Sequence, residues 1–128
     1  RNPNVRKVVN SKLANIDNVL LIDPLDYMPM VHIMKNAYMV LTDSGGLQEE
    51  APSLGKPVLV MRKVTERQEG VDAGTVKVIG MDAQRIVEEA SRLLDDEDAY
   101  RSMAECINPY GDGTASAQIV KRLLQDEN

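Results

Sequence analysis

The sequence contains no tryptophan and no phenylalanine, so whatever core it builds is aliphatic. Val, Ile and Leu must fill it, and seven Met add adaptable packing. A single cysteine, Cys106, excludes an internal disulfide framework and a cysteine metal site. A single histidine, His32, cannot build a zinc site by itself; neither a metal nor a cofactor is expected. No basic run exceeds two adjacent residues and the formal charge is -5, which argues against a nucleic-acid surface. Net acidity does not exclude a small anion, because a helix terminus can hold one locally. No apolar run approaches the roughly 20 residues that a membrane span needs. A signal-peptide pattern is also missing, so the expected location is the cytoplasm and no membrane partner is expected.

What is present is the balance of an ordinary globular chain. Of 128 residues, 43% are hydrophobic and 27% charged, enough for one compact domain spanning residues 1–128 with a modest core. The chain opens at Arg1 rather than Met, and Arg1-Asn2-Pro3-Asn4 reads as a loop entering a helix. The expectation is a piece that begins in mid-protein.

Helical and strand patterns alternate along the chain. Val5, Val8, Val9, Leu13 and Ile16 recur at helical spacing, with Asn2 or Asn4 able to cap and Pro3 tolerated at the start. Val19-Leu20-Leu21-Ile22 reads as a buried strand. A second helix follows Asp26, with Pro29 in its first turn and Met30, Met34 and Ala37 on one face. Tyr38-Met39-Val40-Leu41 is the next expected strand. A short helix then carries Leu47, Ala51 and Leu54 inward. Pro52 in a helix interior costs about 3 kcal/mol, so a kink or early end is expected there, with Gly55 as the stop.

Pro57-Val58-Leu59-Val60-Met61 is near-continuously apolar, as a parallel strand covered on both faces should be. A polar segment from Arg62 to Gly74 reads as a loop with a helical turn, followed by a strand at Thr75-Val76-Lys77-Val78-Ile79. Asp82 caps a helix with Ile86, Val87, Ala90, Leu93 and Leu94. Tyr100, Met103 and Ala104 mark another, Asn108 to Gly113 a loop, and Ile119, Val120, Leu123 and Leu124 the last helix. Such alternation predicts an α/β/α three-layer, Rossmann-like domain around a parallel sheet. Ligands in such sheets bind beyond the carboxyl ends of the strands.

That rule points to Leu41-Thr42-Asp43-Ser44-Gly45-Gly46, where a strand turns into a helix. Two glycines let the backbone approach a ligand. The first amides of the following helix lack intrahelical partners and lie at the positive end of its dipole. Ser44 adds a hydroxyl, and a diphosphate is the natural guest. Glu49 and Glu50 could accept from a vicinal diol, as in a nucleotide's ribose. The plainer alternative is a tight connection whose Asp-Ser pair only caps the helix, with Glu49 and Glu50 on a solvated face.

The run Thr42-Asp43-Ser44-Gly45-Gly46-Leu47-Gln48-Glu49-Glu50-Ala51-Pro52-Ser53-Leu54-Gly55-Lys56-Pro57-Val58-Leu59 closely resembles the signature of the non-hydrolysing UDP-N-acetylglucosamine 2-epimerases. Thr65-Glu66-Arg67, Ala73-Gly74-Thr75 and Asn108-Pro109-Tyr110-Gly111-Asp112-Gly113 resemble further blocks of that family, in the same order. The resemblance covers essentially the whole chain, as about the last third of a family member. It implies the C-terminal half of a glycosyltransferase-B-like architecture, with UDP between two Rossmann-like domains.

By that resemblance Ser44 and Gly46 hold the diphosphate, Gly45 shapes the turn and Glu50 binds the ribose hydroxyls. Arg67 contacts the phosphate region. Met30 stands where the family places a residue whose backbone reads the uracil ring; by composition alone it reads as a core side chain, and Arg67 as a solvated charge. The implied reaction interconverts UDP-N-acetylglucosamine and UDP-N-acetylmannosamine by elimination and re-addition of UDP. Its acid–base groups lie upstream, so no catalytic residue is expected here. The implied partners are UDP, UDP-N-acetylglucosamine, an N-terminal domain of the same chain and, for the full-length parent, a second copy in a homodimer. A hydrolysing epimerase, a related glycosyltransferase and a non-catalytic nucleotide-sugar binder are the alternatives.

Overall fold

The computed structural model describes residues 3–126. They fall into two compact units, one up to Ile33 and one from Met34. In the first, helix α1 (Pro3–Leu13) leads through a long irregular segment to helix α2 (Tyr27–Asn36), which crosses the boundary between the units. Pro3 starts α1 as expected, while Asn4 lies inside the helix and so is not its cap; Asn2 lies outside the described residues. Pro29 sits in the first turn of α2, where its missing N–H breaks no bond.

One sequence expectation fails here. Residues 19–22 form no strand among the described residues; Leu20 is 85% exposed, and Leu21 and Ile22 are exposed as well. An apolar run becomes a strand only where its backbone groups find a ladder, and this one has none in the sheet described below.

The second unit is built on a parallel sheet of β1 (Val40–Thr42), β2 (Val58–Val60) and β3 (Val76–Val78), in that spatial order. The register sets Val40, Val58 and Val76 side by side, then Leu41, Leu59 and Lys77, then Thr42, Val60 and Val78. Between β1 and β2 run helix α3 (Gly45–Glu50) and a 3-10 turn (Pro52–Leu54); between β2 and β3 lies helix α4 (Gln68–Asp72). Helices α5 (Ala83–Asp95), α6 (Glu97–Ala104) and α7 (Ala115–Asp126) follow. The fold is α/β, as the alternation predicts.

Strand alternation sorts the layers. Leu59 and Ile79 pack with Leu93 of α5 and with Ala99 and Met103 of α6. Lys77, on the same face, pairs with Glu89 of α5 at 2.6 Å. The opposite face carries Val58, Val60 and Val76, and Gly70 of α4 lies against Val76. β2 is fully buried at all three residues, which is what its unbroken apolar run requires.

Local signals hold at the helix ends. Asp82 accepts from the Arg85 amide, and Asp96 from the Ala99 amide, capping α5 and α6. Helix α3 gives way to the 3-10 turn at Pro52, and Gly55 closes that turn with φ of 66°. The inward face of α3 is rotated from expectation: Gln48 and Ala51 are fully buried, whereas Leu47 and Leu54 are only half-buried. A glutamine can take a core position when both ends of its amide are bonded, and Gln48 meets that condition. In α7 the apolar residues Ile119, Val120, Leu123 and Leu124 are all exposed. Among the described residues no helix is long and apolar enough to cross a membrane.

Leu59 is the centre of the sheet and of the cluster with α5 and α6. Leu59→Ala should therefore destabilise the chain by about 2–5 kcal/mol. A urea titration should show a lower midpoint with an unchanged slope.

Candidate functional site

Because β1 and β2 are parallel neighbours, their carboxyl ends lie side by side, with Thr42 opposite Val60. The chain leaves β1 into Asp43-Ser44 and α3, and leaves β2 into the Arg62–Arg67 loop. The turn and the loop are thus brought together by strand pairing, although eighteen residues separate Arg67 from Glu49.

The turn is open to solvent. Asp43, Ser44 and Gly46 are exposed and Gly45 half-buried. Ser44 donates its amide to the buried Thr42 Oγ1 at 3.0 Å, which fixes the start of the turn. Ser44 occupies the N-cap of α3 in extended backbone, but its side chain makes no capping bond to the helix. The capping role allowed by the sequence is therefore not what this serine does. The first-turn amides of α3 have no intrahelical acceptor and none from that hydroxyl.

Neither Gly45 nor Gly46 has a positive φ; room, not a left-handed backbone, separates the two. A Cβ on Gly45 would stand 3.0 Å from Glu66 Oε1 and 4.0 Å from an Arg67 Nη. A Cβ on Gly46 would meet only Glu50 Oε1, at an ordinary 3.9 Å. Gly45, Gly46, Glu50 and Arg67 are accordingly one neighbourhood.

Arg67 is held through its Nε by the Glu49 carboxylate. That hydrogen bond, and then the Glu49 charge, raise the guanidinium above its usual range, so it is cationic at any working pH. Glu66 is held below the usual carboxylate range by its own backbone amide, with further help from the Arg62 and Arg67 cations. Arg62 closes an ion pair with Glu66 at 2.9 Å. The expected solvated charge at Arg67 is thus an anchored one, with Glu49 as its anchor. Sequence reading grouped Glu49 with Glu50 as a diol acceptor and had no means to foresee a partner from the next loop.

Two further residues were not singled out from the sequence. Gln48 donates to the Ser44 carbonyl at 3.1 Å and accepts from Thr65 Oγ1 at 2.5 Å. Tyr110, from the Asn108–Gly113 block, accepts from the Gly70 amide at 3.1 Å and donates to the Arg67 carbonyl at 3.5 Å. Burial, above all, raises the Tyr110 phenol above its usual range, so it stays protonated and able to donate at neutral pH. The signal for both residues lay inside the recognised motif blocks, but nothing in their spacing named partners.

Met30 belongs to the first unit, on α2, half-buried, with its amide donating to the Asp26 carbonyl at 3.1 Å. That amide is committed to the helix. His32 is exposed. Cys106 is half-buried, its thiol donating to the Ser102 carbonyl at 2.8 Å. Among the described residues no group of three or more His, Cys, Asp or Glu could hold a metal ion. Hollows elsewhere, one along Val5, Val9, Leu21 and Ile22 and one around Ser53, Asn108 and Gln118, do not include the Ser44–Gly46 turn.

The second unit is thus a parallel α/β unit with an uncapped Ser-Gly-Gly turn beside an anchored arginine at the carboxyl ends of its strands, the edge where ligands bind in Rossmann-like sheets. The chain belongs to the UDP-N-acetylglucosamine 2-epimerase family, whose model matches residues 1–124. It is 60% identical over 122 residues to the UDP-N-acetylglucosamine 2-epimerase of Escherichia coli K12, covering 95% of this chain and 32% of that protein. The Neisseria meningitidis UDP-GlcNAc 2-epimerase bound to UDP-GlcNAc superposes with a TM-score of 0.90 at 52% identity, over 97% of this chain and 34% of that one. The S. aureus MnaA–UDP complex gives a TM-score of 0.90 at 53% identity, over 96% and 34%. The chain therefore spans about a third of the length of these relatives.

Gly70 packs where a Cβ would stand 2.8 Å from Val76 Cγ2 and 2.7 Å from the Tyr110 hydroxyl. Gly70→Ala should cost about 1–3 kcal/mol by overpacking. Gly46→Ala, where the added carbon meets nothing closer than 3.9 Å, should leave the melting temperature unchanged or raise it. Thermal melts of the two variants beside the parent check the contrast.

Proposed function

We propose that this chain is the UDP-binding part of an enzyme that interconverts UDP-N-acetylglucosamine and UDP-N-acetylmannosamine, by eliminating UDP and adding it back after inversion at the sugar. In this reading residues 1–128 act as a single nucleotide-binding domain. An N-terminal domain supplies the other wall of the cleft and the acid–base groups, and the enzyme works as a cytoplasmic homodimer. No catalytic residue is assigned to this chain, and no cofactor or metal is required.

The observation that carries the reading is Gly46. Its φ is not positive and an added Cβ would meet no surrounding side chain closer than Glu50 Oε1 at 3.9 Å, although glycine inside a helix costs up to about 1 kcal/mol relative to alanine. The fold gives no reason for the residue, whereas a phosphate approaching the first amides of α3 does. Ser44 and Gly46 then hold the diphosphate, with Gly45 keeping the turn close to the Arg67 loop. Glu50, half-buried beside Gly46, accepts from the ribose hydroxyls.

Arg67 faces the phosphates. A departing UDP gains negative charge, and a cation already fixed by Glu49 meets it without reorganising. Met30 is kept as the uracil contact, by its backbone, on the family resemblance alone. Relatives with UDP or UDP-GlcNAc bound agree with this choice of ligand.

Titrating the chain with UDP should shift the amide resonances of residues 44–50 and 67 first; shifts confined to α5 and α6 would reject the site. Gly46→Val should raise the Kd by on the order of tenfold or more, about 1.4 kcal/mol per decade, with a thermal melt of the variant alongside to show that it is folded. Unchanged affinity would mean that the phosphates lie elsewhere.

A further inference from the structure

Gln48 is fully buried, one of few polar side chains in the core. Its amide joins two loops that leave different strands. The Arg67 amide donates to Thr65 Oγ1 at 3.1 Å, the Thr65 hydroxyl donates to Gln48 Oε1 at 2.5 Å, and Gln48 Nε2 donates to the Ser44 carbonyl at 3.1 Å. The three bonds run in one donor direction, from the backbone of Arg67 to the backbone of Ser44, so each polarises the next. Among the described residues no buried side-chain N or O atom lacks a partner, so the chain is complete.

A leucine or methionine at position 48 would satisfy the core without any of these bonds. The glutamine instead ties the backbone of the proposed phosphate turn to the backbone of the residue that carries the cation. The Glu49–Arg67 ion pair, one residue along α3, ties the same two segments by their side chains.

We propose that Gln48 and Thr65 are positioning residues for the diphosphate: their hydrogen bond sets the spacing between the Ser44–Gly46 amides and the Arg67 guanidinium, so that both reach one ligand at once. Neither side chain touches the nucleotide. The inference rests on the UDP reading of this site. It predicts that the turn and the loop respond as one body, and that breaking the joint anywhere weakens ligand binding without removing any ligand contact.

The test uses UDP as the probe and Gln48→Met, Thr65→Val and the double variant. Each single change should weaken UDP binding by on the order of tenfold. The double variant should be no weaker than either single one, because both changes break the same joint. Thr65→Ser, which keeps the hydroxyl, should restore wild-type affinity. Without ligand, the amide resonances of Ser44–Gly46 should move in Thr65→Val although that substitution lies in the other loop.

Tyr100→Phe, which removes a hydrogen bond to the Tyr38 carbonyl far along the sequence, controls for general loss of stability and should bind UDP normally. If Gln48→Met fails to fold, the Thr65 pair of variants carries the comparison alone. Wild-type affinity in Thr65→Val, or Ser44–Gly46 resonances that do not move in it, overturns the positioning role while leaving the UDP reading intact. Failure of the wild-type chain to bind UDP overturns that reading itself, and the role with it.

Discussion

Parallel pairing of β1 with β2 is the constraint on which the rest depends. In a parallel sheet both strands end on the same edge, so the segments that leave them begin next to each other however far apart they are in sequence. The pairing of Thr42 with Val60 therefore decides that Ser44 and Arg67 are neighbours. Burial of β2 on both faces locks the register. A slip by one residue would turn Leu59 away from α5 and α6 and bring a valine in its place. The site is a consequence of a packing decision made several residues away.

On that edge the protein spends polar groups where an apolar core would have been simpler. Gln48, Thr65 and Thr42 are buried or half-buried, and each is bonded to backbone or to another of the set. A buried amide with one end unbonded costs about 1–3 kcal/mol, so such a network works only when complete. Complete networks hold backbone segments at fixed separation, which aliphatic contacts do less well because they tolerate small slides. Tyr110 adds a weaker third contact, its hydroxyl accepting from the Gly70 amide at 3.1 Å and lying 3.5 Å from the Arg67 carbonyl. The arginine is thus held chiefly at its amide and its guanidinium.

Much of this architecture is legible in the sequence because it is written locally. Asp82 declares a helix start, Pro52 and Gly55 an early helix end, and Val58-Leu59-Val60 a strand with two covered faces, and each stands where read. Ser44, Gly45, Gly46 and Arg67 could be named because they sit in ordered motif blocks. What was not legible depends on partners. Residues 19–22 have the composition of a strand but no ladder, and no local pattern reports a missing neighbour. Spacing predicts Leu47, Ala51 and Leu54 on the inward face of α3; Ala51 is buried there, but Gln48, bonded to Ser44 and to the distant Thr65, takes the place of the leucines. Glu49 looked equivalent to Glu50 until the loop carrying Arg67 came into view.

The glycines show how a structure turns a motif into an argument. Gly55 has φ of 66°, so its own backbone demands it. Gly70 is demanded by Val76 and Tyr110, which leave no space for a carbon, and at Gly45 an added carbon would press on the carboxylate end of Glu66 at 3.0 Å, which would have to give way. Each of these is explained inside the protein, and each would be expected in a domain that bound nothing. Gly46 alone of the four has neither a special backbone nor a crowding neighbour, and it occupies the first turn of a helix, where alanine would be more stable. A residue that the fold would improve by replacing points outward, to whatever must come close to the backbone at that point. The charged groups on that edge are the Glu66 and Glu50 carboxylates, 3.0 Å and 3.9 Å from the Cβ positions of Gly45 and Gly46, and one cation, Arg67, 4.0 Å from that of Gly45. In the proposed reading a diphosphate meets the free amides of the turn and the Arg67 guanidinium together, and the Glu50 carboxylate is left for the ribose hydroxyls.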